Sequence, residues 1–205
     1  MKKIKSHNLG IAVIYFSIFL LLISSKTFSQ SQVKYSVKDN LSLVVDGTAP
    51  GHNWSMQSTV GNCDAIFVLD NKTGHISGIS SLSFITPSKG LKSKHGSMMD
   101  NKAYSALKAD KNANISFILS SATITTSDGI NYNIKCAGKL TIAGVTKETE
   151  ITATGKLNAD KSISVIGSKK ISMKDYGVEA PTFFMVISTG NDVTLTFQLT
   201  LKIVH

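Results

Sequence analysis

The chain has 205 residues, among them 22 lysines, no arginine and 13 acidic residues, and its formal net charge is +9. Its 42% of apolar residues and its three prolines exclude a collagen-like, disordered or coiled-coil chain. The absence of arginine, the residue that best reads base edges and phosphate forks, argues against a nucleic-acid partner.

The first 29 residues have the features of a secretory signal peptide. Four lysines and no acid fall in this segment, an uncharged apolar run of 15 residues covers positions 9–23, and Thr27 and Ser29 place small residues before a cleavage site. Because the run is shorter than the roughly 20 residues that span a bilayer, cleavage is favoured over an uncleaved anchor. We therefore predict a signal peptide over 1–29, one domain over 30–205 and a periplasmic or secreted location. The mature chain would keep 18 lysines and a net charge of +5.

Alternation of apolar and polar residues with a period of two dominates the mature sequence. This pattern predicts strands with one apolar and one polar face. Turn signals rich in Asp, Asn and Gly separate the strands, as at 70–74 and 127–129. The alternating segments, in chain order, are residues 63–69, 82–84, 115–119, 130–142, 151–157, 163–165 and 193–203.

One stretch, residues 97–111, breaks this alternation. Met98, Tyr104 and Leu107 fall at helical spacing, and Ser97 with Asp100 three residues later predicts a capped helix start. We predict one short helix here.

Eight or nine antiparallel strands with tight turns favour a meander, and closure into a barrel leaves no exposed sheet edge. The predicted fold is all-β, a closed or nearly closed antiparallel eight-stranded barrel with one short helix. An outer-membrane barrel, with its apolar face toward lipid, is the alternative. It is disfavoured because aromatic girdles are absent and lysine is common on the polar face. Small residues at inward positions, such as Ala65, Gly138 and Ala153, suit either a tapered packed core or a ligand cavity.

Four segments resemble the exported YceI-like proteins, in the family's order and over nearly all of the mature chain. They are the strand at 46–56 with its Gly-Thr step, His and Trp; the helix at 97–108 followed by the Ile-x-Phe strand at 114–117; the G-x-L-T-I-x-G-V-T-K hairpin at 138–147; and the K-D-Y-G-V turn at 173–178 with Pro181. The hairpin is the most specific of the four. The match is weaker between 61 and 93, where strand character is present without a motif.

The resemblance implies a lipocalin-like barrel that holds a long apolar molecule, such as a polyisoprenoid, quinone or fatty acyl chain, and implies no catalysis. Transport or storage of that ligand would be the function. A ligand-free barrel acting as a secreted stress-response or interaction protein is the alternative. His52 and Tyr176 are candidates for a polar mouth. The side chains expected to line the apolar interior are Trp54, Phe67, Leu69, Phe84, Phe117, Tyr132, Ile134, Leu140, Phe197 and Leu199.

Motifs of enzymes, metal sites and cofactor sites are missing from the sequence: no G-x-S-x-G, H-E-x-x-H or C-x-x-C occurs. We therefore expect no catalytic residue, no metal and no cofactor.

Cys63 and Cys136 share the apolar parity about three strands apart, which predicts two buried free thiols. The lysines between Lys89 and Lys111 suggest contact with an anionic membrane, although a solvated surface is the simpler explanation. The oligomeric state, including a dimer, is left open.

Overall fold

The computed structural model describes residues 30–180, 182–183, 187–188 and 190–204. The predicted signal peptide and Pro181 lie outside this part of the chain. Thirteen strands and one α-helix are described. The strands are β1 (Gln30–Lys38), β2 (Ser42–Ala49), β3 (His52–Ser58), β4 (Asn62–Asp70), β5 (Ile76–Pro87), β6 (Lys92–Ser93), β7 (Asn114–Thr126), β8 (Asn131–Ile142), β9 (Val145–Leu157), β10 (Ile163–Ser172), β11 (Thr182–Phe183), β12 (Ile187–Ser188) and β13 (Asp192–Ile203). The helix is α1 (Ser97–Ala106).

Eight strands form a closed antiparallel barrel in the order β1-β4-β5-β7-β8-β9-β10-β13, and β13 pairs with β1 through Tyr35↔Ile203 to complete the circle. The predicted fold class is therefore confirmed. From β4 to β13 the barrel strands follow one another as a meander, with β6, β11 and β12 outside the wall.

One edge of β13 pairs with β10, and its other edge is shared between two strands. Its first half pairs with β2, from Val193↔Gly47 to Gln198↔Ser42, and its last residues pair with β1. A break in the strand path, without a gap in the chain, separates β1 from β2 at Asp39 and Asn40, whose φ values are both near +50°. That break lets β2, β3 and β6 leave the barrel wall and extend the sheet at the end of the barrel that also carries α1.

The apolar parity of each barrel strand faces the interior. In β8, Tyr132, Ile134 and Cys136 are buried, whereas the alternate residues Asn133 and Lys135 are exposed. The same alternation in the other wall strands builds one continuous hydrophobic core. The barrel thus has an apolar inside and a polar outside, as the period-two pattern predicted for a barrel that buries its apolar face.

The β8–β9 hairpin turns through two residues, Ala143 and Gly144, whose φ values are +51° and +82°. Positive φ at both central residues is the geometry of a type I′ turn, whose twist matches that of the flanking strands. This turn fixes the register Ile142↔Val145, and with it the inward direction of the apolar residues of both strands.

The predicted helix is present but shorter than residues 97–111. It ends at Ala106, and Lys108 has a φ of +50°, which stops the helical path. The predicted capped start is wrong: Gly96, with a φ of +79°, is the N-cap, and no side chain caps the helix. Asp100 instead accepts a hydrogen bond from the backbone N–H of Ser93 at 2.7 Å, because its side chain is turned toward β6.

Candidate functional site

The barrel encloses an apolar cavity of about 110 Å³, called here the main cavity. Side chains from most of the wall strands line it. These are Leu43, Cys63, Phe67, Ile79, Leu82, Phe84, Ile115, Phe117, Ile134, Cys136, Leu140, Ile151, Ala153, Val165, Lys169, Leu195, Phe197, Leu199 and Leu201. Lys169 is the one charged residue among the described lining, so the cavity suits an uncharged chain.

A second apolar cavity of about 80 Å³ lies at the α1 end, and we call it the helix-side chamber. Helix α1 contributes Met99, Ala103 and Ala106 to its wall. The other described lining residues are Val45, Trp54, Met56, Leu91, Leu107, Ile115, Ile142, Ile171, Met173, Tyr176, Val178, Val193 and Leu195.

The two cavities share a wall, since Ile115 and Leu195 line both. A water-sized group needs roughly 10–15 Å³ of cavity volume. The two cavities together therefore have room for on the order of fifteen groups of that size. The barrel interior is therefore not filled by its own side chains, which answers the packing question that composition left open.

The opposite end of the barrel is closed by tyrosines. The Tyr132 hydroxyl donates to the carbonyl oxygen of Gly129 at 2.7 Å and accepts from the backbone N–H of Ile76 at 3.2 Å. Tyr35 packs edge-on against Phe67, with ring centroids 5.2 Å apart. Tyr35 and Tyr132 are both buried. They close this end of the main cavity, and we call the closed end its floor.

Between β9 and β10 the wall is incomplete. Their ladder ends at Ser168↔Thr152, although β10 continues to Ser172 and β9 begins at Val145. The 3-10 helix Met173–Tyr176 packs against both strands at this separation. Lys169 lies there and lines both the main cavity and a polar surface cleft outside it. The separation is thus a place where the cavity meets the surface without an intervening backbone ladder.

Most of the residues predicted to line the interior meet in the main cavity: Phe67, Phe84, Phe117, Ile134, Leu140, Phe197 and Leu199. Trp54 and Tyr176 are brought together in the helix-side chamber instead. Tyr176 is only 3% exposed, so it is part of an inner wall.

Three predicted site residues line neither cavity. Tyr132 belongs to the floor, and Leu69 is half-buried against the core nearby. His52 is exposed at the turn of the β2–β3 hairpin, opposite Ala49. Contact of any of these residues with a ligand stays a prediction.

Sequence reasoning missed most of the helix-side chamber. Met99 comes from α1, Leu91 from a short connection, and Met173 and Val178 from the 3-10 helix and the residues after it. A period-two pattern carries no signal for such residues, because none lies in an alternating strand. Among the missed residues of the main cavity, Val165 follows the inward parity and could have been found. Ile79 has the opposite parity to Leu82 and Phe84, because a β-bulge in β5 shifts the register between them.

The two cysteines are buried and free, on β4 and β8, three strands apart as predicted. Both line the main cavity. Burial raises the pKa of the Cys63 thiol to about 12, with smaller contributions from Asp64 and Cys136. Burial also raises the pKa of Cys136. In their protonated form, the thiols act as small apolar lining groups.

Helix α1 is pinned to the barrel by polar contacts at its edges. The Tyr104 hydroxyl lies 2.9 Å from the carbonyl oxygens of Lys89 and Leu91. The Lys92 ammonium lies 3.6 Å from the carboxylate of Asp100 and 5.2 Å from the centre of the Tyr104 ring. These contacts hold α1 over the chamber as its cover.

Within the described residues no group of three or more His, Cys, Asp or Glu side chains could hold a metal ion. In the same part of the chain, no helix has the length and apolar character needed to cross a membrane.

An antiparallel barrel with an apolar, partly empty interior, covered at one end by α1, defines this protein as a barrel of the lipocalin-like class. The model of the YceI-like domain family matches residues 27–201. The chain belongs to the YceI-like family, which confirms the resemblance seen in its motifs.

Solved structures share this fold at low sequence identity. BcnA of Burkholderia cenocepacia has a TM-score of 0.58 and 15% identity, over 79% of this chain and 96% of BcnA. A polyisoprenoid binding domain from Saccharophagus degradans, implicated in plant cell wall breakdown, has a TM-score of 0.60 and 10% identity, over 85% of this chain and all of that domain. The YceI protein of Campylobacter jejuni has a TM-score of 0.50 and 18% identity, over 70% of this chain and 81% of its own. The comparison with curated proteins gives no match.

Proposed function

We propose that this protein is an exported binding protein that holds a long apolar molecule inside its barrel, for transport or storage, and that it acts without catalysis. The observation that carries this proposal is the pair of adjoining cavities lined almost wholly by apolar side chains. Membership of the YceI-like family and the fold shared with a polyisoprenoid binding domain support a ligand of the polyisoprenoid, quinone or fatty acyl type.

Apolar burial alone supplies the affinity that this function needs. Fifteen methylene-sized groups at about 0.8 kcal/mol each give on the order of 12 kcal/mol. The losses of translational and conformational freedom on binding reduce this sum by several kcal/mol. A stable complex therefore requires no charged contact in the interior.

Native mass spectrometry tests the proposal. Protein purified after export, without detergent, is expected to carry extra mass that organic solvent extracts as lipid. The control is the same protein unfolded, stripped of lipid and refolded, which should lose the extra mass and regain it from added isoprenoid or acyl lipid.

A ligand-free secreted interaction protein is the competing function. It would show no extra mass at any stage, and its refolded form would take up no lipid. That pair of results would contradict the binding proposal.

Exchange of lipid with an anionic membrane at the α1 side is the second part of the proposal. Met98 is 76% exposed at the start of α1, and Lys102 lies one turn further along the same face. Lys94 is exposed just before the helix. Lys89 is paired with Asp110 at 2.6 Å and Lys92 with Asp100, so the charges of these two lysines are partly offset.

Vesicle co-sedimentation tests the membrane contact. Changing Lys94 and Lys102 together to Gln should weaken binding to phosphatidylglycerol vesicles by about fivefold for each lysine near the surface, with little effect on phosphatidylcholine vesicles. The matched control changes Lys156 and Lys161, at the other end of the barrel, to Gln. Equal losses in the two double variants would show that only net charge matters.

A further inference from the structure

The indole N–H of Trp54 is buried without a partner. Trp54 is 8% exposed, and its Nε1 atom is the one buried side-chain nitrogen or oxygen in the described chain that lacks a hydrogen bond. All other buried polar side chains there are satisfied, as shown by Ser58 with Thr86 at 3.1 Å and by Ser88 with the Asn112 carbonyl at 2.7 Å.

An unsatisfied donor of this kind needs an explanation. Buried indole N–H groups nearly always find an acceptor, because leaving one unpaired in an apolar site costs the desolvation of that group. Phenylalanine would place an aromatic ring there without this cost. A tryptophan at position 54 is therefore best explained by an acceptor that arrives from outside the protein.

The surroundings of Trp54 define the chemistry of that acceptor. Besides bordering a polar surface cleft that contains Lys94 and Lys170, its ring lies against Gly47 on β2 and lines the helix-side chamber. The described residues that line this chamber include no charged side chain, so an anionic group there would be buried without a counter-ion, at high cost. A neutral oxygen carries no such cost.

We propose that Trp54 Nε1 donates a hydrogen bond to a neutral oxygen acceptor, such as a carbonyl, at one end of the bound apolar chain. The helix-side chamber is then the head-group subsite, and the chain passes between Ile115 and Leu195 into the main cavity, since these two residues line both spaces. This inference rests on the binding function proposed above, and it selects carbonyl-bearing chains over pure hydrocarbons and over chains with phosphate or carboxylate heads.

Two matched probes test this inference with the full mature chain: methyl undecyl ketone, and its methylidene analogue in which CH2 replaces the carbonyl oxygen. The wild-type protein should bind the ketone about five- to tenfold more tightly than the analogue, the expected gain when a buried unpaired donor is satisfied. In Trp54→Phe, which keeps an aromatic ring and removes the N–H, that preference should fall to about one.

A second measurement does not depend on the variant. Trp54 is the single tryptophan of the chain, so the indole N–H gives one resolved proton resonance in a nitrogen-15 spectrum. The ketone should move this resonance downfield and slow its exchange with solvent, whereas the analogue should leave its position close to that of the free protein.

The failure of each proposal is distinguishable. If both probes bind equally and the indole resonance responds alike to both, the head-group inference is wrong and the binding function stands. If neither probe binds and the purified protein carries no lipid, the binding function itself fails. Tighter binding of the matching carboxylate than of the ketone would also overturn the assignment of a neutral acceptor.

Discussion

At the scale of single residues, Gly47 determines where the ring of Trp54 can lie. The two residues face each other across the β2–β3 ladder, and a Cβ on Gly47 would overlap the six-membered ring of the indole. The absence of a side chain at position 47 is therefore what allows Trp54 to lie flat against β2 and to line the chamber.

Gly47→Ala should displace the indole ring. We expect a loss of about 1–3 kcal/mol in the free energy of unfolding, typical of overpacking, together with a red shift of the fluorescence of Trp54. Urea denaturation followed by this fluorescence measures both. Gly78→Ala is the matched control, because a Cβ there meets only Val68 at 3.7 Å, and it should be neutral or stabilising by about 0.5 kcal/mol. Equal effects of the two changes would argue against the packing described for Trp54.

Cys63 predicts a dependence of stability on alkaline pH. Burial raises its pKa from 9.0 to about 12 in the folded protein, so above pH 9 the unfolded chain releases a proton that the folded chain keeps. The stability contributed by this thiol is complete below pH 9 and is lost as the pH rises toward 12.

Comparison with Cys63→Ala isolates this effect. Between pH 8 and pH 10, the free energy of unfolding of the wild-type protein should fall by about 1.4 kcal/mol more than that of Cys63→Ala, the value for one proton over one pH unit beyond the unfolded pKa. Urea titrations under a reducing agent at both pH values give the two slopes. Parallel slopes would mean that the thiol ionises as readily in the folded protein as in the unfolded chain.

At the scale of elements, α1 covers the helix-side chamber through few contacts of its own. It presents Met99, Ala103 and Ala106 to the chamber, and Asp100 links its first turn to β6 through the Ser93 N–H. The Asp100 side chain is 10% exposed, so that bond is shielded from water. The cover is short, and besides its apolar contacts it is held by the hydrogen bonds of Asp100 and Tyr104.

Asp100→Ala should loosen this cover. Loss of the acceptor leaves the Ser93 N–H unpaired, which costs about 1–3 kcal/mol, and the amide protons of α1 should exchange faster with solvent than those of β7 to β10. Hydrogen exchange measured by mass spectrometry resolves the two regions. Asp110→Ala is the control, since its ion pair with Lys89 is 89% exposed on the Asp110 side and is worth little. Unchanged exchange in α1 would show that its apolar contacts alone hold it in place.

At the scale of the whole molecule, capacity for ligand depends on space that the inward residues leave empty. Ala153 is small and lines the main cavity on β9, with Ile134 opposite it on β8. A larger side chain at this position would occupy room that the proposed ligand needs.

Ala153→Leu should stabilise the folded protein and reduce its lipid binding. The free energy of unfolding of the lipid-free protein should rise by about 0.5–2 kcal/mol, as in other cavity-filling changes, and the amount of lipid recovered per protein should fall. Thr154→Leu, on the outward parity of the same strand, is the control and should leave the lipid content unchanged. Full lipid content in Ala153→Leu would place the ligand away from this part of the barrel.

The amino-acid pattern alone predicted the barrel, its inward face and, of the ten predicted lining residues, the seven that lie in the main cavity. It could do so because a strand has a side-chain period of two, and a residue's parity therefore fixes its face once one face is buried. The same reasoning placed Cys63 and Cys136 inside and three strands apart.

The remaining features depend on tertiary contacts. The helix-side chamber, the separation of β9 and β10 and the unpartnered N–H of Trp54 arise where α1, the β2–β3 hairpin and the residues around Met173 meet across the end of the barrel. These segments are distant in sequence and share no period, so their contacts depend on how the closed barrel brings its loops together. Asp100 likewise accepts a hydrogen bond from Ser93 on β6 instead of capping α1. A contact between two elements has here replaced the local contact within the helix.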